Sequence, residues 1–272
     1  NGSLEWASKI GDQQRLIESV SELQNYPKYT ATSVIGYKKA KKLEPYVNFK
    51  GNENIVFSKA DGAIDPKDAI SKMINAIKKN GGAILYPCKF EKIIESNDLF
   101  SKVKTSMGVL KSENIIFCNG VDIDKSFNTN FLKAPRPGVI IKTKPKKNLI
   151  NSIVYGPNIH AHQQSNGQLI IGEQITAPTE QNSLSHLKRI NKHFKNMVRG
   201  VSDLNPSEVL IGWRPIPKDD LPVIGRFKNK SIYVAVMHSG ISLAAIVGNL
   251  VTQEIVDEVD SLLLNDFRPS RF

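Results

Sequence analysis

The order of patterns along the chain constrains this fold more than any single motif. Continuous apolar runs beside helical stripes occupy both ends, and segments that alternate between apolar and polar residues lie between them. Continuous runs beside helices are typical of a parallel sheet covered on both faces, whereas alternation is typical of strands with one buried face. The sequence therefore predicts a mixed α/β (α+β) fold in which one domain is interrupted by an antiparallel one.

The clearest local element is a helix that begins after Asp65. Asp65 is a favourable N-cap and Pro66 a favourable first helical residue. An apolar stripe follows, and the pair Gly81 and Gly82 is typical of a helix C-terminus. Strands are predicted after this helix and in the last part of the chain, over 83–86, 90–94, 114–118 and 231–237.

The middle of the chain predicts antiparallel strands. Ser165-Asn166-Gly167 is a turn signal between two extended runs, which favours a hairpin. A helix capped by Asn182 or Ser183 and ended by Gly200 interrupts them. Near the start, the apolar residues from Leu4 to Leu23 have helical spacing. The alternating segments are 138–144, 151–163 and 168–175.

The charge does not by itself define a partner. The formal net charge is +11, which can indicate nucleic-acid binding. However, 29 lysines stand against eight arginines and are scattered along the chain. Nucleic-acid contacts favour arginine, clustering and interleaved aromatic residues. The composition therefore favours solvated surface lysines over a nucleic-acid interface.

The two cysteines, Cys88 and Cys118, are too few for a disulfide framework or a zinc site. Both lie in apolar, strand-like contexts, which predicts buried free thiols and a reducing cytoplasm. No apolar run reaches the roughly 18 residues of a membrane-spanning helix.

Three elements have side chains suited to chemistry. Arg214 follows an apolar strand and precedes a proline, and a partly buried arginine needs an anion such as a carboxylate. The alternative is an internal partner such as Asp219. His160 and His162 are two residues apart in a predicted strand and therefore share one face. They can line a pocket, bind a metal or simply form a half-exposed face of the strand, and no cysteine or carboxylate at ligand spacing completes a metal site.

The third element is the turn His238-Ser239-Gly240, which precedes a helix predicted from Ile241 to about Val259. A helix N-terminus presents unpaired N–H groups and partial positive charge, so it suits an anionic ligand group. The alternative is a core helix capped by Ser239. The chain contains no Gly-x-Gly-x-x-Gly, no phosphate-binding loop and no Gly-x-Ser-x-Gly motif.

These pieces in this order resemble the FAD-dependent amino-acid oxidoreductases, the family of D-amino-acid dehydrogenase, glycine oxidase and sarcosine oxidase. The resemblance covers nearly the whole chain. Each motif is weak alone, but their order and spacing together are specific. The matching segments are Leu43-Glu44-Pro45, Asp61 to Pro66, Asn80 to Ala83, Ile115 to Gly120, Gly167 to Gly172, Gly212 to Gly225, Met237 to Ile241 and Phe267 to Phe272.

The resemblance implies a three-layer, Rossmann-like FAD-binding domain that lacks its N-terminal Gly-rich segment and is interrupted by an antiparallel substrate domain. A dinucleotide fingerprint would then lie upstream of Asn1. The implied divisions are a helical part of the substrate domain (1–50), a first FAD-domain part (51–130), the antiparallel substrate domain (131–206) and the C-terminal FAD-domain part (207–272).

The resemblance also implies the site residues. Arg214 would bind the substrate carboxylate, and His160, His162 and His238 would be polar residues of the pocket, with no catalytic base assigned. The N-terminus of the helix at Ile241 would favour negative charge on the reduced flavin. Asp220 stands where the family has glycine, so that turn is expected to differ. The implied cofactor contacts are Phe90, Asn119, Gly120, Gly225, His238, Ser239, Gly240, Ile241 and Ser242.

The implied reaction is oxidation of an amino acid or N-alkyl amino acid. A hydride would pass from carbon to flavin N5, and water would hydrolyse the imine. Gly212 and Trp213 occupy the place where some relatives attach flavin to cysteine, so FAD would be non-covalent. The expected partners are the amino acid, an electron acceptor such as a quinone at the inner membrane, and an N-terminal segment that is not in this chain. The expected compartment is the cytoplasm, with peripheral association with the inner membrane as the alternative. The alternative is a catalytically silent fragment or interaction subunit.

Overall fold

The computed structural model of the protein describes residues 2–25, 31–174, 183–201 and 203–272. The strands are β1 (Ser3–Trp6), β2 (Thr32–Ile35), β3 (Ile55–Ser58), β4 (Phe90–Ser96), β5 (Ser101–Thr105), β6 (Gly108–Ser112), β7 (Ile115–Phe117), β8 (Arg136–Thr143), β9 (Ile153–Tyr155), β10 (Ile159–Gln163), β11 (Leu169–Gln174), β12 (Pro206–Arg214), β13 (Val223–Phe227) and β14 (Asn229–Val236). The α-helices are α1 (Ile10–Gln24), α2 (Tyr37–Leu43), α3 (Pro66–Lys79), α4 (Ile123–Phe127), α5 (Ser183–Met197) and α6 (Ala244–Val256).

The chain forms two compact units, each assembled from two separate stretches. Unit 1 consists of Asn1–Ile64 and Pro137–Gly212, and unit 2 consists of Asp65–Arg136 and Trp213–Phe272. The mixed α/β composition predicted from the sequence is confirmed. The division at 50, 130 and 206 into FAD-binding and substrate segments stays a prediction.

Unit 1 is built on an eight-stranded sheet with the order β12-β8-β11-β10-β9-β1-β3-β2. β3 pairs antiparallel with β1 and β2, β10 with β9 and β11, and β11 with β8, whereas β1 and β9 pair parallel. One face of this sheet carries the core, where Ile171, Ile190 and Phe194 are fully buried. Strand alternation places Leu4 and Trp6 in the same core, which leaves Glu5 on the other face.

The first residues correct the helical interpretation of the N-terminus. Leu4 belongs to β1, inside the sheet, and the helix begins only at Ile10. The pattern was misread because the strand has only four residues, so its alternation merges with the helical spacing that follows. Strands β1 and β2 therefore also belong to the segment that was expected to be helical.

The predicted middle hairpin is confirmed. β10 and β11 pair antiparallel around the 164–168 turn, where Gly167 has a φ of 84° and donates its N–H to the carbonyl of Gln164 at 2.9 Å. The following helix, α5, begins at Ser183, and Gly200 has a φ of 82° just beyond its end. The alternative cap, Asn182, lies outside the described residues.

Unit 2 contains two three-stranded sheets, β13-β14-β7 and β4-β5-β6. Within unit 2, β7 and β14 pair parallel, but β4 forms an antiparallel meander with β5 and β6, so the predicted parallel sheet at 90–94 is wrong. The predicted strand at 83–86 is also wrong, because this run pairs with no strand among the described residues, and Tyr86 is 89% exposed. An apolar run needs a neighbouring strand before it becomes one.

The predicted caps of α3 are confirmed. The carboxylate of Asp65 accepts hydrogen bonds from the backbone N–H groups of Lys67 and Asp68 at 2.8 and 3.3 Å. Pro66 is the first helical residue, and Gly81 follows the helix with a φ of 83°. The apolar stripe of α3 is nevertheless uncovered by the described residues, since Ile70, Met73 and Ile77 are between 44% and 53% exposed.

Two local expectations in unit 2 are wrong. The last long helix begins at Ala244 rather than Ile241, because residues 238–243 form turns that include Ser239 and Gly240, which are poor helix formers. It ends at Val256. Cys118 is exposed rather than buried, because it lies beyond the last residue of β7, whereas Cys88 is partly buried. Both thiols are free.

Candidate functional site

Arg214 is the last residue of β12, where the chain passes into unit 2. The strand presents it half-buried, and Pro215 then ends the strand pairing. The guanidinium forms no ion pair or hydrogen bond with any described residue. A partly buried arginine without an internal anion is available to a ligand carboxylate, which it can bind through two parallel hydrogen bonds.

The nearby acidic residues are already paired. Asp219, the internal partner considered from the sequence, accepts hydrogen bonds from Nε and Nη2 of Arg271 at 2.5 and 3.1 Å. Asp220 binds Nζ of Lys133 at 2.6 Å. Asp220 also has a φ of 66°, so it keeps the left-handed conformation that a glycine would adopt there. The internal-partner alternative with Asp219 is therefore wrong.

His238 lies in the turn after β14, where the positive charge of Arg214 acts on its imidazole. Its pKa is lowered, first by partial burial and then by the positive charge of Arg214, while Asp220 opposes the shift. The neutral imidazole is therefore favoured beside the arginine. A Cβ at neighbouring Gly240 would meet no described atom closer than 3.9 Å, so this turn is open to the approach of a ligand.

We predict that Arg214→Ala raises the pKa of His238, because it removes one cause of the lowered value. The pKa of His162, which is lowered by burial alone, should stay unchanged and serves as the internal control. Because the pKa values of His238 and His162 are lower in the folded chain, the unfolded chain binds more protons than the folded chain as pH falls through the ordinary histidine range. The free energy of unfolding therefore decreases as pH decreases through that range. NMR titration of the imidazole resonances measures the shift; an unmoved His238 would show that the two side chains do not interact.

The other expected cofactor residues of unit 2 lie on separate elements. Gly120 has a φ of 56° and begins a single 3₁₀ turn, Gly120–Asp122, after β7, and the side-chain amide of Asn119 donates to Oγ of Ser126 at 2.8 Å. Phe90 begins β4, and its ring packs edge-on against Phe117 with centroids 5.1 Å apart. Their roles toward FAD stay predictions.

Gly225 is in close contact with the chain itself. It has a φ of 148°, and a Cβ there would lie 3.0 to 3.2 Å from Pro269 Cδ, Arg268 Cδ and Arg268 Nη1. The space beside this glycine is therefore filled by the C-terminal segment of unit 2. That packing gives a reason for glycine here that does not depend on a cofactor.

The two histidines of β10 lie in unit 1, on the face of the sheet opposite to its core. Ile159 and Ala161 point into the core, which places His160 and His162 together on the other face as predicted. The ring of His160 covers the neighbouring strand at Gly172, where a Cβ would lie only 2.1 Å from Nε2.

Sequence reasoning missed two further residues on that face. Strand pairing aligns Glu5 of β1 with Tyr155 of β9, and Tyr155 with His160, in one row across the sheet. The rings of Tyr155 and His160 are 5.7 Å apart. Burial raises the pKa of both Glu5 and Tyr155, and the charge of Asp61 raises both further. Only the cross-strand register brings these residues together, so no local motif could have indicated them.

We predict that Gly172→Ala displaces the ring of His160, because the added methyl group occupies the position of Nε2. The nuclear Overhauser effect between the rings of Tyr155 and His160 should be lost, and stability should fall by about 1 kcal/mol, the low end for overpacking. Gly212→Ala is the control, since a Cβ there meets no described atom within 4 Å. An unchanged His160 resonance in Gly172→Ala would contradict the packing.

Arg214 and His238 thus belong to unit 2, whereas Glu5, Tyr155, His160 and His162, which we call the histidine row, belong to unit 1. Within the described ranges, no group of three or more histidine, cysteine, aspartate or glutamate residues could hold a metal ion. The helices described here include none that is long and apolar enough to cross a membrane.

Comparison with known proteins places this arrangement in a family. The family described as FAD dependent oxidoreductase, abbreviated DAO, matches residues 1–254. The chain is 22% identical over 229 residues to the bifunctional protein ThiO/ThiG of Synechocystis sp.. That alignment covers 78% of this chain and 33% of the relative, so the chain spans about a third of the curated protein it matches.

Solved structures share the fold. The chain matches L-proline dehydrogenase from P. horikoshii with a TM-score of 0.89 and 20% identity, over 100% of this chain and 76% of that one. It matches glycine oxidase from Geobacillus kaustophilus with a TM-score of 0.87 and 17% identity, over 100% and 75% of the two chains. With the family match over most of its length, the chain belongs to the DAO family of FAD-dependent oxidoreductases.

Proposed function

We propose that this chain is part of an enzyme that oxidises the C–N bond of a small amino acid or N-alkyl amino acid with FAD. The observation that supports this most directly is the unpaired guanidinium of Arg214. Its neighbours Asp219 and Asp220 are held by Arg271 and Lys133, so an anion from outside the chain is the partner that Arg214 lacks. The α-carboxylate of an amino acid has the geometry that satisfies both of its arms.

The role of Arg214 is to bind and orient. A carboxylate held in two hydrogen bonds fixes the direction of the attached α-carbon, and positioning of this kind lowers the barrier of the reaction. His238, kept neutral near Arg214, adds a polar group without a second positive charge. In unit 1, we propose substrate-binding roles for His160 and His162, whose side chains share one face of the sheet.

The residues of unit 2 fit a non-covalent flavin in part. The turn at 238–242 and the turn at Asn119–Gly120 leave backbone open to a ligand, and Phe90 lies at the start of β4. At Gly225 the fit is poorer, because Arg268 and Pro269 occupy the adjacent space. When bound, FAD supplies the two-electron acceptor for oxidation of the amine to an imine, which water then hydrolyses.

The substrate class follows from the carboxylate and from the matched proteins. These include two glycine oxidases, an L-proline dehydrogenase and an iminodiacetate oxidase, all named for small amino or imino acids. We propose a substrate of this size.

The electron acceptor is either oxygen or a quinone at the membrane surface. Because Cys88 and Cys118 are both unpaired, we propose the cytoplasm as the compartment.

A further polypeptide segment would complete the FAD site. The apolar stripe of α3 is exposed, and β7 pairs with β14 on one edge only among the described strands. An uncovered stripe and an open parallel edge are both sites for additional structure. About a quarter of each matched oxidoreductase chain has no counterpart in these 272 residues. We propose that a segment of that size covers α3 and β7.

The same exposed surface supports a second candidate function. If no flavin binds, the chain would be a silent subunit that associates with a partner through the α3 stripe. Purification with added FAD separates the two functions. The enzyme proposal expects visible flavin absorbance that stays with the protein through gel filtration, and turnover of glycine, sarcosine or L-proline with a dye acceptor. A colourless, inactive protein would contradict it and favour the interaction subunit.

A further inference from the structure

Unit 1 contains a cleft of about 280 Å³ that the proposed reaction does not use. It opens on the core side of the sheet, beside α5, whereas the histidine row lies on the opposite face. Trp6, Ile159 and Met197 form its buried apolar floor. The volume suits a ligand smaller than a typical drug molecule.

Close packing holds the floor in place. Trp6 packs edge-on against Phe49 with ring centroids 5.0 Å apart. Gly156 approaches so closely that a Cβ there would lie 2.7 Å from Sδ of Met197 and 3.2 Å from Cζ2 of Trp6. The apolar surface is therefore preformed, and a ligand would not need to rearrange it.

The rim is also ordered by hydrogen bonds. The backbone N–H of Asn48 donates to the carbonyl of Met197 at 2.8 Å, and its side-chain amide donates to the carbonyl of Asn196 at 3.0 Å. The carboxylate of Glu53 accepts the N–H groups of Lys50 and Gly51 at 2.8 and 2.9 Å. These contacts fix the loop that carries Lys50 against the end of α5.

Lys50 contributes a positive charge to the cleft lining, and Glu53 contributes a carboxylate. Nζ of Lys50 forms no ion pair or hydrogen bond within the described part of the chain, whereas the carboxylate of Glu53 is satisfied by its own loop. His193 also lines the cleft, and its Nε2 lies 3.9 Å from Glu173, whose carboxylate already binds Arg189 at 2.7 Å. Lys50 is therefore the cation that an anion in the cleft would contact, while the carboxylate of Glu53 is held by the N–H groups of its own loop.

We propose that this cleft binds a small carboxylate with an apolar group. The carboxylate would contact Lys50, and the apolar group would lie on Trp6 and Met197. This is a second small-molecule site, independent of the Arg214 site in unit 2.

The test uses Trp6 as the reporter. The chain has two tryptophans, so in a Trp213→Phe background the emission comes from Trp6 alone. The probe is 4-methylpentanoate, and 4-methylpentanamide is the neutral control of the same shape. We expect a saturable emission change with the acid, and binding of the amide that is weaker by about tenfold or more, as for loss of a charge-assisted contact.

Variants of Lys50 test the cation. Lys50→Met should weaken binding of the acid by about tenfold, and Lys50→Arg should retain it. Lys38→Met, an exposed lysine of α2 outside the cleft, should change nothing. Two results would overturn the proposal: an emission change that is absent or equal for acid and amide, or one that Arg214→Ala abolishes. Neither result would bear on the proposed oxidation, which is measured through turnover.

Discussion

Arg214→Ala is expected to weaken binding of the amino-acid substrate by a factor of roughly 30 to several thousand. Removing one partner of a hydrogen-bonded charge pair that is shielded from water costs about 2–5 kcal/mol. Arg214 is half-buried and has no internal anion among the residues that the structure describes, so its pairing energy is available to the ligand. The effect should appear in KM, because a carboxylate anchor contacts substrate before and during the reaction.

A conservative variant and a control variant test this prediction further. Arg214→Lys keeps the charge but loses the two-armed geometry, so it should recover only part of the binding. Lys218→Ala removes an exposed cation four residues away and should leave KM unchanged. Wild-type KM in Arg214→Ala would remove Arg214 from the carboxylate role.

Arg268→Ala is expected to destabilise unit 2 by about 3–5 kcal/mol, as for breaking a buried ion pair. Arg268 donates to both carboxylate oxygens of Glu254, from Nη1 at 2.9 Å and from Nη2 at 2.5 Å. The same carboxylate accepts the hydroxyl of Tyr233 at 2.5 Å and the N–H of Ser261 at 2.7 Å. The side chain of Glu254 is 2% exposed, so its charge cannot be compensated by water.

This network joins β14, α6 and the C-terminal segment. Burial opposes ionisation of Glu254, but the hydrogen bonds from Arg268, Tyr233 and Ser261 offset it and hold its pKa below the ordinary value. Burial and the hydrogen bond to Glu254 raise the pKa of Tyr233 far above its ordinary value. Glu254 therefore stays ionised and Tyr233 neutral, and the arginine is the cation that this arrangement requires.

Urea denaturation of wild type and Arg268→Ala measures the loss. The control is Lys104→Ala, which breaks the ion pair with Glu91 at 3.2 Å on the exposed meander of unit 2. That exposed pair should contribute less than about 1 kcal/mol. Equal stability losses in the two variants would mean that the Glu254 network does not hold the C-terminal segment.

Elements defined by local chemistry could be predicted from the sequence. The caps of α3 depend on Asp65, Pro66 and Gly81, which act within one turn of the helix ends. The hairpin at Gly167 likewise depends on a local turn. For such elements the tertiary structure adds little to the signal in the residues themselves.

Elements that depend on distant partners were predicted less well. The run at 83–86 is apolar but has no neighbouring strand among the described residues, so its composition misled. β1 is only four residues long and forms because β3 and β9 lie on either side of it. The turn at 238–243 delays α6 by three residues, since weak helix formers such as Gly240 do not specify where a helix must begin.

The candidate residues of each unit divide in the same way. The shared face of His160 and His162 follows from strand alternation and was predicted. The alignment of Glu5 and Tyr155 with His160 depends on the register between strands, and it was not predicted. Arg214 can bind a ligand carboxylate only because Asp219 is paired with another cation, Arg271. Arg271 lies 52 residues from Asp219 along the chain, and no sequence pattern links the two.

A cycle of two ligands and two proteins tests whether Arg214 binds the substrate carboxylate. Binding of L-proline and L-prolinamide to wild type and to Arg214→Ala is measured by titration calorimetry on the FAD-loaded protein. We expect wild type to prefer the acid by roughly 30-fold or more and Arg214→Ala to reduce this preference to about threefold or less. A preference that survives unchanged in Arg214→Ala would contradict this role of Arg214, because the carboxylate would then be recognised by another group.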